Sequence, residues 1–256
     1  MMRINNFLAV AVAAIGLGVA LAPAQVFFGE DINTNAPPNV NDVPRGPRTN
    51  ADAAFNSFTT SAAFYGVENL ESFSPFTASS FSLNVAFPAT SITGTLSVTA
   101  SINAGIYDEP DPTATIAGSY PSSGRRFIGF IPRTSPGFTS ILTVNFSQPV
   151  LGAGFYGTDV EEFRPTVRLT YTDNTTEDFI VNATVYQSGQ SYISGNIFFW
   201  GYKTTGLPIT QLQVRYDPTA ADGIGIDDIT VIVPEPASVL ALGAGLAGLA
   251  LRRRKR

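Results

Sequence analysis

Cysteine and histidine are both absent from this 256-residue chain. Without cysteine there are no disulfide staples, thiolate metal sites or cysteine nucleophiles. Without histidine, Ser-His-Asp and Cys-His catalysis and the commonest transition-metal ligand are excluded too. Charge is scarce as well: 14% of residues are charged and 44% are hydrophobic. A sizeable core can therefore be buried, and the surface must be built largely from Ser, Thr, Asn and Gly, a mixture that favours short strands and turns over helices. Between Gln25 and Val233 nine basic side chains stand against nineteen acidic ones, a net charge of −10. A region of that sign repels nucleic acid and anionic lipid, which argues against a nucleic-acid partner.

Long apolar runs are also missing, but a short one lies near each end. Arg3 supplies a positive start, Phe7 to Leu21 is apolar, and Ala22-Pro23-Ala24 gives a small-x-small cleavage pattern before polar Gln25. This is the pattern of a secretory signal peptide over residues 1–24, handled by export machinery and signal peptidase. At the other end, Ala237 to Leu251 carries no charge but is only fifteen residues long, at or below the shortest comfortable bilayer span. The cluster Arg252, Arg253, Arg254, Lys255 and Arg256 behind it would stay on the cytoplasmic side. Residues 25–233 would then lie outside, with the C-terminal helix as an anchor.

Pro234-Glu235-Pro236, the short Ala/Gly/Leu segment and the terminal basic cluster together resemble the PEP-CTERM sorting signal. The resemblance covers residues 234–256. It implies export in a Gram-negative bacterium that makes extracellular polysaccharide, and recognition by an exosortase, a membrane protease. It also implies a transient inner-membrane anchor and delivery to the cell surface, matrix or biofilm. A permanent short anchor is the alternative, since a marginal span can still insert.

Between the two ends the pattern is β. Asn33 to Asn50 is rich in Pro and Asn and reads as a loop. Residues 51–63 could form one short helix with Asn50 as N-cap and Ala54, Phe55, Phe58 and Ala62 on one face. From there, apolar and polar residues alternate. Leu96, Val98 and Ala100 oppose Thr95, Ser97 and Thr99; Leu142, Val144 and Phe146 oppose Thr143 and Asn145; Val167, Leu169 and Tyr171 oppose Thr166, Arg168 and Thr170. A turn at Asp173-Asn174 followed by renewed alternation through Phe179 predicts a hairpin. Further strands fit RFIGFI, VLGAGFYG, NIFFWGYK, LQVRYD and GIDDITVIV. Eight to ten short strands with Gly, Pro and Asn turns predict an all-β domain over residues 25–233, a β-sandwich of jelly-roll type.

Chemistry-bearing clusters are few. Glu30 and Asp31 follow an apolar start, and Asp217, Asp222, Asp227 and Asp228 gather near the end of the ectodomain. In a regular strand Asp227 and Asp228 point to opposite faces, and an inward carboxylate requires a cation or donors. GIGIDDITV resembles the final strand of extracellular jelly-roll domains, including MAM-like and carbohydrate-binding ones, in which early and late acidic residues hold a structural calcium. The resemblance implies calcium at Glu30 or Asp31 together with Asp227 or Asp228. FGED, GIDDITV and PEP together also resemble one group of PEP-CTERM proteins. Without a metal, the pair would meet Arg168 or Arg215, or face solvent. The oxygens of TDNTTED are accounted for by a polar hairpin turn.

Trp200 and Tyr202, with Tyr186 and Tyr192 nearby, could stack on sugar rings if their face were exposed; packing is the commoner role of strand aromatics. Glycosidases need only two carboxylates, but nothing in the sequence brings Glu161-Glu162 or Glu68 and Glu71 to a cleft, and no phosphate-cradling Gly loop is visible. The sequence therefore points to a non-catalytic, surface-sorted interaction protein with extracellular polysaccharide or a surface protein as partner. A calcium-dependent lectin-like module is the second reading and a glycan-cleaving enzyme the third.

Overall fold

The computed structural model describes residues 24–33, 45–60, 62–99, 101–109, 118–132, 140–160, 165–182, 195–216 and 223–234. The leader, the tail from Glu235 onward, and the positions Glu161, Glu162, Tyr186, Tyr192, Asp217 and Asp222 lie outside these residues.

Two antiparallel sheets face each other. The eight-stranded sheet runs β1 (Gln25–Asp31), β12 (Ile197–Lys203), β9 (Gly152–Thr158), β14 (Ile224–Ile232), β7 (Arg126–Pro132), β6 (Ser101–Asp108) and β3 (Phe76–Ala78). Its remaining strand, β2 (Tyr65–Glu68), pairs with the Ile229–Ile232 end of β14, while β7 pairs with Ile224–Ile226 of the same strand. The six-stranded sheet runs β11 (Thr176–Ile180), β10 (Thr166–Tyr171), β13 (Ile209–Tyr216), β8 (Ser140–Val150), β5 (Thr93–Thr99) and β4 (Phe81–Ala86). From β7 to β14 the chain changes sheet at every connection except the β10–β11 hairpin. This back-and-forth path is that of a jelly-roll β-sandwich.

Alternation produces the sandwich core. Leu96, Val98, Leu142, Val144, Val167, Leu169, Leu212 and Val214 project inward from the six-stranded sheet onto Phe155, Phe198, Trp200 and Ile226 of the other. The predicted hairpin is present: Asn174 takes a positive φ of 66° at the turn, and Asp173 Oδ1 accepts from Thr175 N at 2.9 Å and Thr175 Oγ1 at 2.6 Å.

The eight-stranded sheet is also buried on part of its outer face, where a helix lies on β1 and β12. Helix α1 (Thr49–Thr60) packs on β1 and β12, and Phe58 and Ala54 join Phe27, Tyr156, Phe199 and Ile232 in a second apolar cluster. The expected helix face is thus the buried one, with Phe55 half-buried against it. The expected cap is not observed. Asn50 lies inside the helix, where its side chain donates to Glu30 O at 3.1 Å. The capping carboxylate comes instead from β1: Asp31 Oδ2 accepts from Asn50 N at 2.8 Å and Ala51 N at 2.9 Å. It satisfies first-turn donors and places negative charge at the positive end of the helix dipole. The helix end sits so close to β1 that a Cβ on Gly29 would lie 2.1 Å from Asn50 O. Only glycine permits that approach.

Candidate functional site

The four acidic residues expected to share a cation are not brought together. Asp227 is in register with Tyr156, Tyr156 with Phe199, and Phe199 with Gly29. Three strand spacings, about 14 Å, therefore separate β14 from β1 at this level. Asp31 is engaged as the helix cap, and Glu30 Oε1 accepts from Asn196 Nδ2 at 2.6 Å, while Asn196 Oδ1 accepts from Val160 N. Among the described residues no group of three or more acidic side chains forms a metal site.

Asp227 and Asp228 do meet, through a departure from strand alternation. The step from Asp227 to Thr230 on β14 opposes the shorter step from Tyr156 to Gly154 on β9, so β14 carries one extra residue, and Asp228 takes φ 46°. This bulge turns both carboxylates toward the same loop. Neither enters the sandwich core, and neither pairs with Arg168 or Arg215. Arg168 instead forms a two-pronged ion pair with Asp178, and Arg215 lies 3.9 Å from the same carboxylate.

The hydrogen bonds of the pair favour one retained proton. Ser122 Oγ lies 2.9 Å from Asp227 Oδ2 and 2.7 Å from Asp228 Oδ2. A hydroxyl has one proton and cannot donate to two carboxylates at once. The contacts are all satisfied when Asp227 is protonated and donates to Ser122 Oγ, which in turn donates to Asp228. Ser123 Oγ donates to Asp228 Oδ1 at 2.8 Å, Ser123 N to Asp227 Oδ2 at 3.0 Å and Asp228 N to Asp227 Oδ1 at 2.7 Å. Burial, and then the charge of Asp228 beside it, push the Asp227 carboxyl well above the usual carboxylate range. Every oxygen of the pair thus has a hydrogen-bond partner.

The pair fastens the segment before β7. Glu71 Oε1 accepts from Arg125 N at 2.6 Å and Arg126 N at 2.8 Å, and Gly124 stands against that carboxylate with φ 57°. Arg45 donates to Gly124 O at 2.6 Å and Arg48 to Ser122 O. Arg48 also pairs with Asp52 at 2.8 Å and covers the Tyr156 ring at 4.9 Å. Sequence reasoning found the two aspartates but not Ser122 and Ser123, which lie more than a hundred residues away in the chain. Glu68 is also a structural acceptor, receiving Leu70 N at 2.8 Å and Ala86 N at 3.1 Å. Both oxygens of Glu68 and Oε1 of Glu71 are therefore taken by backbone donors.

The aromatic platform considered at Trp200 and Tyr202 is corrected by the structure. Trp200 is 1% exposed and Tyr202 7%. Trp200 packs between Phe155 and Phe179, and Tyr202 lies on Phe179. Neither ring presents a face on which a sugar could stack.

The outer face of the six-stranded sheet has a different character. Strand register aligns Asp178, Arg168, Gln213, Thr143, Ser97 and Ser82 in one row across all six strands. The next row holds Thr176, Thr170, Gln211, Asn145, Thr95 and Asn84. Each of these side chains is exposed or half-exposed, and all are polar. Gln211 Nε2 donates to Asn145 Oδ1 at 2.7 Å and Gln213 Nε2 to Thr143 Oγ1 at 3.4 Å. The second row ends in a depression of about 480 Å³ lined by Asn84, Thr95, Asn145, Gly94 and Phe146.

Comparison with solved structures finds likenesses to carbohydrate-binding modules. A xylan-binding CBM22-1 domain from Paenibacillus barcinonensis is 12% identical, with 66% of this chain and 94% of that chain covered and a TM-score of 0.34. A family 29 carbohydrate-binding module from Piromyces equi is 10% identical, with coverage of 66% and 89% and the same TM-score of 0.34. At those scores neither carries an argument about this chain, whose fold rests on its own sheets. No curated protein matches the chain. Residues 233–255 match the family model of the PEP-CTERM protein-sorting motif. This motif marks the chain for export and exosortase-type sorting to the surface, and it begins one residue after β14 ends at Ile232.

Proposed function

We propose that this chain is an exported interaction protein, non-catalytic, that exosortase-type processing delivers to the extracellular polysaccharide or biofilm matrix. The observation that carries the reading is the direct junction between the sandwich and the sorting motif. β14 ends at Ile232, Val233 N is held by Phe64 O at 3.1 Å, and Pro234 is exposed. Pro234 borders a cleft of about 610 Å³ lined by Phe64, Ile92, Pro149 and Pro208. The folded domain thus stands at the start of the motif with no linker between them.

Cleavage of the leader after Ala24 fits the same architecture, since β1 starts at Gln25. The C-terminal segment from Ala237 then serves as a transient inner-membrane anchor until processing in the PEP region. An interaction role with polysaccharide is favoured over catalysis because the carboxylates considered for hydrolysis and described here, Glu68 and Glu71, are engaged by backbone donors. It is favoured over calcium-dependent recognition because Glu30 and Asp31 stand apart from Asp227 and Asp228.

The test is the C-terminus of the protein recovered from the surface of its native host. Intact mass should lack Arg252 to Arg256 in cells with the exosortase and retain them in cells without it. Retention of Arg256 in both would leave a permanently anchored protein and overturn processing. Recovered protein should also co-purify with the host exopolysaccharide and be released by degrading it.

A further inference from the structure

We infer that the outer face of the six-stranded sheet, centred on Asn145, Gln211 and Gln213, is the docking surface for a neutral, extended polysaccharide chain. This rests on the polysaccharide reading above and gives it a location and a ligand chemistry.

Charge is the first argument. The region between Gln25 and Val233 has a net charge of −10, yet beside Arg215, which lies 3.9 Å from Asp178 in the neighbouring row, the two rows contain only one acidic and one basic side chain, Asp178 and Arg168. They neutralise each other through bonds of 2.6 and 2.7 Å. The acidic excess lies elsewhere, so a neutral chain meets neither repulsion nor an unpaired charge that needs desolvation.

Hydrogen bonding is the second. Amides and hydroxyls can both donate and accept, as sugar hydroxyls do, so contacts form in either direction along the rows. The cross-strand bond from Gln211 to Asn145 at 2.7 Å fixes both amides and leaves the Asn145 NH₂ for a ligand. Side chains already ordered lose less rotamer freedom on binding.

Shape is the third. Six strands at about 4.8 Å spacing place polar groups at regular intervals over about 24 Å. A monosaccharide would touch a small part of such a surface; a chain laid across the strands could follow a whole row and reach the depression at Asn84, Thr95 and Asn145. A protein partner ordinarily anchors on buried aromatic or apolar residues, and neither row offers one. A membrane surface requires an apolar face with basic flanks, which is also missing from these rows.

The experiment uses the full chain recovered from its host and the host's own purified exopolysaccharide, native and carboxyl-reduced, as probes in affinity electrophoresis. The wild-type chain should bind both forms, and short oligosaccharides from the same polymer should bind progressively better with length. The double variant N145A/Q211A should bind at least about tenfold more weakly, the equivalent of one or two hydrogen bonds, with its thermal midpoint unchanged. Asn56→Ala, on the exposed side of α1, should bind like the wild type. If the wild type binds and N145A/Q211A binds equally well, this surface assignment is overturned while the polysaccharide reading stands. If carboxyl reduction abolishes binding, the neutral-ligand chemistry is overturned. If the wild type binds neither form, the polysaccharide reading itself fails.

Discussion

The two sheets of the sandwich share the same alternation but differ in what lies outside them. On the eight-stranded sheet, helix α1 covers β1 and β12, and the outward residues Phe27, Tyr156 and Phe199 are apolar and buried with Phe58. On the six-stranded sheet the outward residues are mostly Thr, Ser, Asn and Gln, joined toward one end by Arg168, Asp178, Arg215, Ile141 and Ile180, and they are exposed or half-exposed. One face therefore contributes to stability and the other to surface chemistry. In sequence, the difference is between strands apolar at nearly every position, such as Ile197–Lys203, and strands polar at every second one, such as Thr93–Thr99. A strand that reads as continuously apolar signals a cover on its second face.

Substitutions should separate the two faces most sharply at Phe58, which is fully buried between helix and sheet. Phe58→Ala should destabilise the domain by about 3–5 kcal/mol in chemical denaturation, with no direct effect on the far sheet. Asp31→Ala comes next: it strips the cap from Asn50 N and Ala51 N and should cost about 1–2 kcal/mol, accompanied by faster amide exchange in the first turn of α1. An effect below a few tenths of a kcal/mol would show that the helix is held by its aromatic contacts alone.

A third contrast is in pH. Between about pH 4, where an unfolded aspartate ionises, and the elevated native value of Asp227, the folded chain keeps a proton that the unfolded chain has released. Stability conferred by that proton is fully present at low pH and is lost as pH rises through this window. Asp227→Asn should flatten the slope and leave the variant no less stable than the wild type at pH 8. An unchanged slope would place the proton on another group. Changes on the bare face should be smallest: Gln213→Ala should shift stability by no more than about 0.5 kcal/mol, a result that a covered or load-carrying face would not give.

Much of the sandwich is legible in the sequence because burial on one side of a strand leaves a period of two. Leu96 and Val98, Val167 and Leu169, and the Asp173-Asn174 turn are examples. Strands β1, β2, β3, β4 and β6 are not: β2, β3 and β4 are short and at least partly exposed, β1 follows no strict alternation, and the SINAGIYD of β6 mixes small and polar residues without a period of two. The helix start is displaced because its cap comes from a separate strand, a contact that no local pattern can encode. Asp227 and Asp228 illustrate the opposite limit: their position was unusual enough to notice, but the bulge that turns both the same way depends on pairing with β9. The polar residues of the bare face were visible strand by strand, and only the register of six strands assembles them into rows.

The position of β14 has a consequence for timing. It is the last strand before the sorting motif, yet it lies inside its sheet, between β9 on one side and β7 and β2 on the other. In a chain that crosses the membrane N-terminus first, the eight-stranded sheet remains in three pieces, β1-β12-β9, β7-β6-β3 and β2, until its final strand emerges. Closure of the sheet and arrival of the sorting motif at the membrane are then successive moments of one passage. The junction after Ile232 would then work as a clock: a chain whose tail is ready for processing would be one whose last strand has become available to complete the fold.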